Sequence, residues 1–252
     1  MTRPLWDARR QAQLDMSGEP RVFGDMLDEV FAAIDNCIAR LEALDQPYGT
    51  VCALVLVKAR NLGLGCYSLS LDALAQESGA LFRPLIEYIE LVAYFRLDPA
   101  RITEALEERL PPAGVIAQRI EGKFKGVRSY LNTYSSHLSV SLESMRHLID
   151  VRSSRLRLAQ PHSLPVLRQN LVTLLATLTY LAVEAVNCTT KGGVADDALI
   201  NTVEDVRSRT FRPSSQPPDR RCHGACVEWL PHRGVCVRGG VPSRGPVLLV
   251  TL

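Results

Sequence analysis

Four polar side chains share one face of a segment that is otherwise apolar. Arg83, Glu87, Glu90 and Tyr94 stand at positions i, i+4, i+7 and i+11. At about 100° per residue, this spacing places them on one narrow face of a helix, and we call them the polar stripe. Apolar residues cover the rest of the circumference, which is typical of a helix inside a protein.

The charges of the polar stripe fit either a binding site or a purely structural contact. A buried Arg83 needs a partner, because an unpaired buried charge costs several kcal/mol, and Glu87 one turn away is the expected one. A buried Arg83–Glu87 pair predicts a centre that binds a small ligand or organises a protein interface. The alternatives are a pair that only fixes helix register and a solvent-facing strip, where such a pair contributes little.

A cysteine-rich C-terminal segment supplies a second set of candidate ligands. Cys222, Cys226, His232 and Cys236 are four side chains of the types that bind zinc. Their spacing does not match the usual Cys-x2-Cys hairpin, and no apolar cluster surrounds them. Chance in a cysteine-rich segment is the preferred interpretation, so we predict neither a metal site nor a cofactor.

The remaining motifs and the overall charge limit the classes of function. The sequence has no Gly-x-Ser-x-Gly elbow, phosphate loop or dinucleotide fingerprint, and whether the protein is an enzyme is left open. A net charge of +2 excludes a strong polyanion binder. The basic run Arg119, Lys123, Lys125 and Arg128 would fit a nucleic-acid backbone, but a solvated helix face is preferred. A homodimer is also left open.

The sequence predicts a cytoplasmic location. Residues 1–10 lack the apolar run of a secretory signal. Residues 171–186 are apolar but short for a membrane span and include Glu184, so a buried core helix is preferred. Only four of the 29 basic residues are lysines, which indicates a G+C-rich coding sequence and a bacterial origin. Four cysteines in apolar helical patterns are expected to be small buried residues rather than disulfides: Cys37, Cys52, Cys66 and Cys188.

Helical periodicity places the polar stripe in an all-α protein. Pro84 is expected in the first turn of its helix, where its missing N–H is not needed. We predict an up-and-down helical bundle with additional short helices and an irregular C-terminal tail. Its helices are expected over residues 21–45, 50–76, 81–96, 99–110, 115–134, 141–151, 165–187 and 196–209.

Three regions follow from this pattern. Residues 1–20 are expected to be a flexible N-terminal segment, and residues 21–212 form the helical bundle domain. Residues 213–252 are rich in Pro, Gly, Arg and Cys and lose helical periodicity. They are expected to be a tail of low order, or to arise from a frameshift.

Two family resemblances extend this interpretation. The segment Leu81-Phe-Arg-Pro-Leu-Ile-Glu87, with Tyr94, Asp98 and the later Tyr134-Ser-Ser-His137, resembles an uncharacterised family of bacterial all-helical proteins, a domain of unknown function. The resemblance covers about residues 20–190 and implies a polar centre of Arg83, Glu87, Ser136 and His137.

More distantly, the chain resembles the helical nucleotide-binding superfamily of higher eukaryotes and prokaryotes, which includes RNases of defence and toxin systems. This likeness implies an alternative function. The protein would be a metal-independent RNase or nucleotide-processing enzyme in which His137 acts with Arg83 or Arg128. The Arg and His that those enzymes carry on one helix at short spacing are absent here.

Overall fold

The protein is an all-α helical bundle in the computed structural model. The structure describes residues 6–18, 20–122, 124–134, 148–150, 153, 155–156 and 162–211, with the pairs 226–227 and 235–236. The helices are α1 (Asp7–Met16), α2 (Arg21–Glu42), α3 (Pro47–Leu71), α4 (Ala75–Leu97), α5 (Ile102–Leu106), α6 (Ala113–Arg119), α7 (Lys125–Tyr134), α8 (Leu164–Lys191) and α9 (Asp197–Thr210), with a 3-10 turn at Pro99–Arg101.

Four long helices form the core. Helices α2, α3 and α4 follow one another through short turns and pack side by side, and α8 packs against all three. The apolar periodicity of α2 places Leu27, Val30, Ile34 and Leu41 in the core. Burial of these faces is the main stabilising term of such a bundle.

Helices α3 and α8 are both long and apolar enough to cross a membrane. Within the bundle, 72% of the most apolar window of α8 and 50% of that of α3 are buried. The position of α8 among three neighbours explains why it is apolar on nearly every side. The absence of a membrane span stays a prediction.

The turn between α3 and α4 lies earlier than the sequence predicts. The expected break at Ser78-Gly79 is wrong, because the chain turns at residues 72–74, where Ala73 adopts a left-handed φ of 61°. Ser78 is instead a buried residue of α4, and its hydroxyl donates to the Cys66 carbonyl oxygen at 3.0 Å. This contact with α3 satisfies a polar group that was expected to end the helix.

The position of Pro84 is also corrected. It lies inside α4 rather than in its first turn, so it cannot donate a hydrogen bond to the preceding turn. Phe82, Leu85 and Ile86 around it are buried. Tertiary packing of these side chains offsets the lost backbone hydrogen bond, which the sequence pattern could not show.

Part of the segment that was expected to be flexible forms α1. Arg9 donates from Nε and Nη2 to the two carboxylate oxygens of Asp72, both at 2.6 Å. At the other end of the helix, Asp15 contacts His162. Ala12 is fully buried between these contacts. Pairing across the fold therefore orders a helix that has little apolar surface of its own.

The predicted helix over 115–134 is two helices. Helix α6 ends at Arg119, Glu121 adopts a left-handed φ of 51°, and α7 begins at Lys125. The Asp98 cap was predicted correctly, since its carboxylate accepts from the Ala100 amide at 3.1 Å. The helix that follows is shorter than expected and ends at Leu106.

Two small strand pairs accompany the helices. Ile149–Asp150 pairs antiparallel with Arg155–Leu156, and Cys226–Val227 pairs antiparallel with Val235–Cys236. The helix expected over 141–151 is wrong at residues 149–150, which form a strand, and residues 141–147 lie outside the described residues. Nearly all of the predicted tail after residue 212 lies outside the described residues. The four predicted core cysteines are buried and free, as expected: Cys37, Cys52, Cys66 and Cys188.

Candidate functional site

The polar stripe lies on the side of α4 that α6 and α7 cover. Its members differ in burial: Glu90 and Tyr94 are 2% and 0% exposed, whereas the side chains of Arg83 and Glu87 are 34% and 29% exposed. The predicted Arg83–Glu87 contact forms, with Nε donating to Oε1 at 3.1 Å. It is not the buried pair that the sequence suggested, because α6 and α7 cover the later turns of α4 instead.

The buried ion pair of this site is Glu90–Arg128. Nη1 of Arg128, on α7, donates to Oε2 of Glu90 at 2.6 Å, and the Arg128 side chain is 17% exposed. Arg128 belongs to the basic run that was expected to face solvent. Arg128 turns inward to the polar stripe, and Arg119, whose side chain is 47% exposed, reaches the stripe with its guanidinium, because the stripe supplies an acceptor to each of them.

The second carboxylate oxygen of Glu90 has no hydrogen-bond donor among the described residues. The pKa of Glu90 is raised to about 7: burial is the main cause, the nearby Arg128 opposes it, and the charge of Glu87 adds to it. Gly122, in the turn between α6 and α7, lies directly opposite this oxygen, and a Cβ at this position would be 2.6 Å from it. Glu90 therefore presents a buried acceptor that titrates near neutrality.

Tyr94 forms the other end of the site. Its hydroxyl donates to Oε2 of Glu104 at 2.8 Å and accepts from Nη1 of Arg119 at 2.7 Å. The Arg101 guanidinium lies 4.3 Å from the centre of the tyrosine ring, a cation–π contact. Burial and the Glu104 acceptor raise the Tyr94 pKa. The hydroxyl therefore stays protonated and bridges α4 to α5 and α6.

A second pair of the same type lies between α4 and α8. Nε of Arg96 donates to Oε2 of Glu184 at 2.8 Å, and the Glu184 side chain is 9% exposed. Unlike Glu90, Glu184 has no buried oxygen that lacks a donor. It therefore serves as a matched control for experiments on Glu90.

Sequence reasoning missed a histidine and aspartate that the fold brings together. Nε2 of His162 lies 2.7 Å from Oδ2 of Asp15, and the two side chains are 10% and 21% exposed. The hydrogen bond from His162 lowers the pKa of Asp15. These residues are 147 positions apart, and no local motif marks either of them.

The histidine that the family resemblances suggested is not placed by the structure. Ser136 and His137 lie outside the described residues, so an RNase or nucleotide-processing activity that uses His137 stays a prediction. The two arginines that were expected to act with His137 are paired with other residues: Arg128 binds Glu90, and Arg83 binds Glu87. A His137→Ala variant that cleaves RNA as well as the unchanged protein would end this hypothesis.

The four candidate zinc ligands of the C-terminal segment, for which no metal site was predicted, are only partly placed. Cys222 and His232 lie outside the described residues, and Cys226 and Cys236 are opposite each other in the short strand pair. Within the part of the chain that the structure describes, no group of three or more His, Cys, Asp or Glu residues is arranged to hold a metal ion.

Comparison with known proteins gave no relative. No protein-family model, curated protein or solved structure matches the chain.

Proposed function

We propose that the protein is a helical-bundle module that binds a small ligand through the free carboxylate oxygen of Glu90. The observation that carries this proposal is a buried acceptor without a donor among the described residues. A buried polar atom left in this state costs about 1–3 kcal/mol. A ligand that supplies an N–H or O–H donor removes this cost on binding.

The charges around Glu90 favour a small protonated amine or guanidine. Its other oxygen already accepts from Arg128, so Oε1 is the position on the carboxylate where a further donor would bind. A charge-assisted N–H donor forms a shorter and stronger hydrogen bond than a neutral one. Arg83 and Glu87 lie about two turns and one turn before Glu90 on the same face, and their side chains are 34% and 29% exposed.

Gly122, in the turn between α6 and α7, faces the same oxygen of Glu90. A Cβ at residue 122 would be 2.6 Å from this oxygen, closer than Cβ atoms come to other heavy atoms, so glycine is what lets the turn approach Glu90 this closely. A Gly122→Ala substitution must displace the Glu90 carboxylate or the turn, and it is therefore expected to weaken binding at this oxygen.

The test is a titration with methylammonium, guanidinium and agmatine, followed by calorimetry and thermal shift. We expect at least one of these probes to bind the unchanged protein and to lose at least about tenfold in affinity with Glu90→Gln, which corresponds to about 1.4 kcal/mol. The matched variant Glu184→Gln should bind normally. Binding should also release protons near neutral pH, because a cation favours the ionised carboxylate. Equal binding by the Glu90→Gln variant, or no binding of any probe, would contradict the proposal.

A further inference from the structure

Helix α3 carries apolar side chains that the described part of the chain leaves exposed. Leu54, Val57 and Leu64 are 61%, 37% and 39% exposed. Half of the most apolar window of α3 is buried, against 72% of that of α8. The packing of the bundle therefore accounts for the apolar composition of α8, but only in part for that of α3.

These residues follow a heptad spacing along one face of α3. Together with Thr50 and Asn61, which are also exposed, they stand at positions 50, 54, 57, 61 and 64, in alternating steps of four and three. We call these five residues the α3 strip. Such steps are typical of the seam between two helices that pack side by side, and a single asparagine within an apolar seam fixes the register of identical helices.

Helix α1 already lies on the next position of this face. Ser68 continues the spacing four residues after Leu64, and its hydroxyl accepts from Nη2 of Arg9, on α1, at 2.6 Å. The face therefore packs against a helix of its own chain at one end. The α3 strip is the part of it that stays open.

The two edges of the α3 strip carry opposite charges. On one edge lies α2, where Oδ2 of Asp35 accepts from Nη2 of Arg60 at 2.9 Å, and Asp28, seven residues earlier on α2, is also exposed. At 3.6 residues per turn, Arg60 lies about 120° to this side of Leu54, and the exposed Lys58 lies about 40° to the other side. One edge is therefore acidic and the opposite edge is basic.

We propose that the α3 strip is the interface of a parallel homodimer, in which α3 packs against α3 of a second copy of the chain. A two-fold axis parallel to α3 brings the acidic α2 edge of each copy against the Lys58 edge of the other. Lys58 and Asp35 then lie at nearly the same level, because Lys58 and Arg60 are about 3 Å apart along the helix axis. The same axis places Asn61 opposite its own copy.

The charges at the edges select this direction. In an antiparallel dimer, the acidic edge of one copy would lie against the acidic edge of the other. Juxtaposed like charges disfavour an interface. The parallel arrangement pairs opposite charges on both sides of the seam.

A second copy also fits the α3 strip better than a lipid surface does. Hydrocarbon would leave the amide of Asn61 without a hydrogen-bond partner, whereas the same residue of a second copy supplies one. The acidic row of α2, with Asp28 and Asp35, would be repelled by anionic headgroups.

Sedimentation of the full chain over a range of concentrations measures the dimer. We expect Leu54→Glu to weaken dimerisation at least about tenfold, because it places two like charges in an apolar seam. Lys58→Glu should also weaken it, although this change leaves the apolar surface intact. Ile200→Glu, on α9, is the matched control, because Ile200 is an apolar residue that is 38% exposed. It should dimerise as the unchanged protein does.

Cysteine cross-linking tests the direction of the two helices. T50C and N61C are made separately in a chain with C222S, C226S and C236S, and the four cysteines of the bundle are fully buried. In a parallel dimer every position of the seam faces its own copy, so a short bismaleimide should link both variants into dimers. In an antiparallel dimer only a position near the two-fold axis faces its own copy, so linkage of one variant alone would overturn the parallel arrangement.

Three further results would overturn the proposal. One is a protein that stays monomeric at every concentration, and another is a dimer that Leu54→Glu and Lys58→Glu both leave intact. The third is a monomer that binds vesicles of phosphatidylcholine and phosphatidylglycerol and loses this binding with Leu54→Glu, which would assign the α3 strip to a lipid surface. Circular dichroism checks that each variant is folded, and the cross-linking decides the outcome if Leu54→Glu is not.

Discussion

Glu90 combines two properties that rarely persist together in a protein interior: it is 2% exposed, and one of its oxygens lacks a donor among the described residues. Arg128 compensates part of its charge at 2.6 Å. Removing one partner of such a pair leaves an uncompensated buried charge, which is more costly than replacing both. The protonation state of this residue therefore connects pH with the stability of the protein.

The pKa of Glu90 predicts a decrease in stability as the pH rises. Because burial raises this pKa from 4.5 to about 7, the folded protein binds more protons than the unfolded chain between these values. The stabilisation by the proton is complete below the unfolded pKa and is lost as the pH rises through the folded one. The expected loss is about 3 kcal/mol.

Urea unfolding at about pH 5 and about pH 8 measures this loss. Glu90→Gln should remove most of the pH-dependent difference, since glutamine does not titrate, while Glu184→Gln should leave it unchanged. The same difference in the unchanged protein and in Glu90→Gln would assign the effect to other groups.

At the scale of elements, the contact between α3 and α8 depends on a glycine. A Cβ at Gly63 would lie 2.7 Å from Cδ2 of Leu178, which is fully buried. Gly63→Ala should therefore lower the free energy of unfolding by about 1–3 kcal/mol despite the better helix propensity of alanine.

Gly126 provides the matched control for this substitution. It lies in α7, and a Cβ there would contact nothing within 4 Å. Gly126→Ala should leave stability unchanged or raise it by up to about 1 kcal/mol. Chemical denaturation of both variants measures the two free energies of unfolding. If Gly63→Ala were as stable as Gly126→Ala, α3 and α8 would accommodate the added methyl group without loss of stability.

The predictability of the elements follows the range of the interactions that define them. Helices α2, α3, α4, α8 and α9 were predicted because apolar periodicity is a local signal. The turns at Ala73 and Glu121 were missed because both non-glycine residues adopt left-handed φ values, which the sequence does not mark. The position of Pro84 inside α4 was missed for the same reason, because it depends on packing from other helices rather than on a local signal.

The residues of the candidate site also separate into those that a local signal predicts and those that only the fold brings together. The four residues of the polar stripe were predicted because they lie on one helix. Their partners were not, because Glu104, Arg119 and Arg128 come from three other helices. The basic run was visible in the sequence, but whether its arginines contact α4 or solvent depends on which face of α4 the helices α6 and α7 cover.

At the scale of the whole molecule, α1 is held mainly by polar contacts at its two ends. Arg9 binds Asp72 and the Ser68 hydroxyl of α3, both at 2.6 Å, and Ala12 is the buried residue of the helix. Arg9→Ala should therefore increase the hydrogen-exchange rates of α1 amides at least about tenfold, while those of α8 stay unchanged.

Hydrogen exchange followed by mass spectrometry gives this comparison peptide by peptide. Arg21→Ala is a suitable control, because its contact with Asp25 is exposed and lies within α2. Equal protection of α1 in Arg9→Ala and in the unchanged protein would show that the helix is held by other contacts.

The late position of α8 in the chain has a consequence for synthesis on the ribosome. Helices α2, α3 and α4 are complete by Leu97, but the helix that covers their shared apolar face runs from Leu164 to Lys191. At translation rates of about 5–20 residues per second, the first three helices wait on the order of 5–20 s for their partner. During that interval the nascent chain exposes the future core, so it is at this stage, rather than after release, that the protein most needs a chaperone.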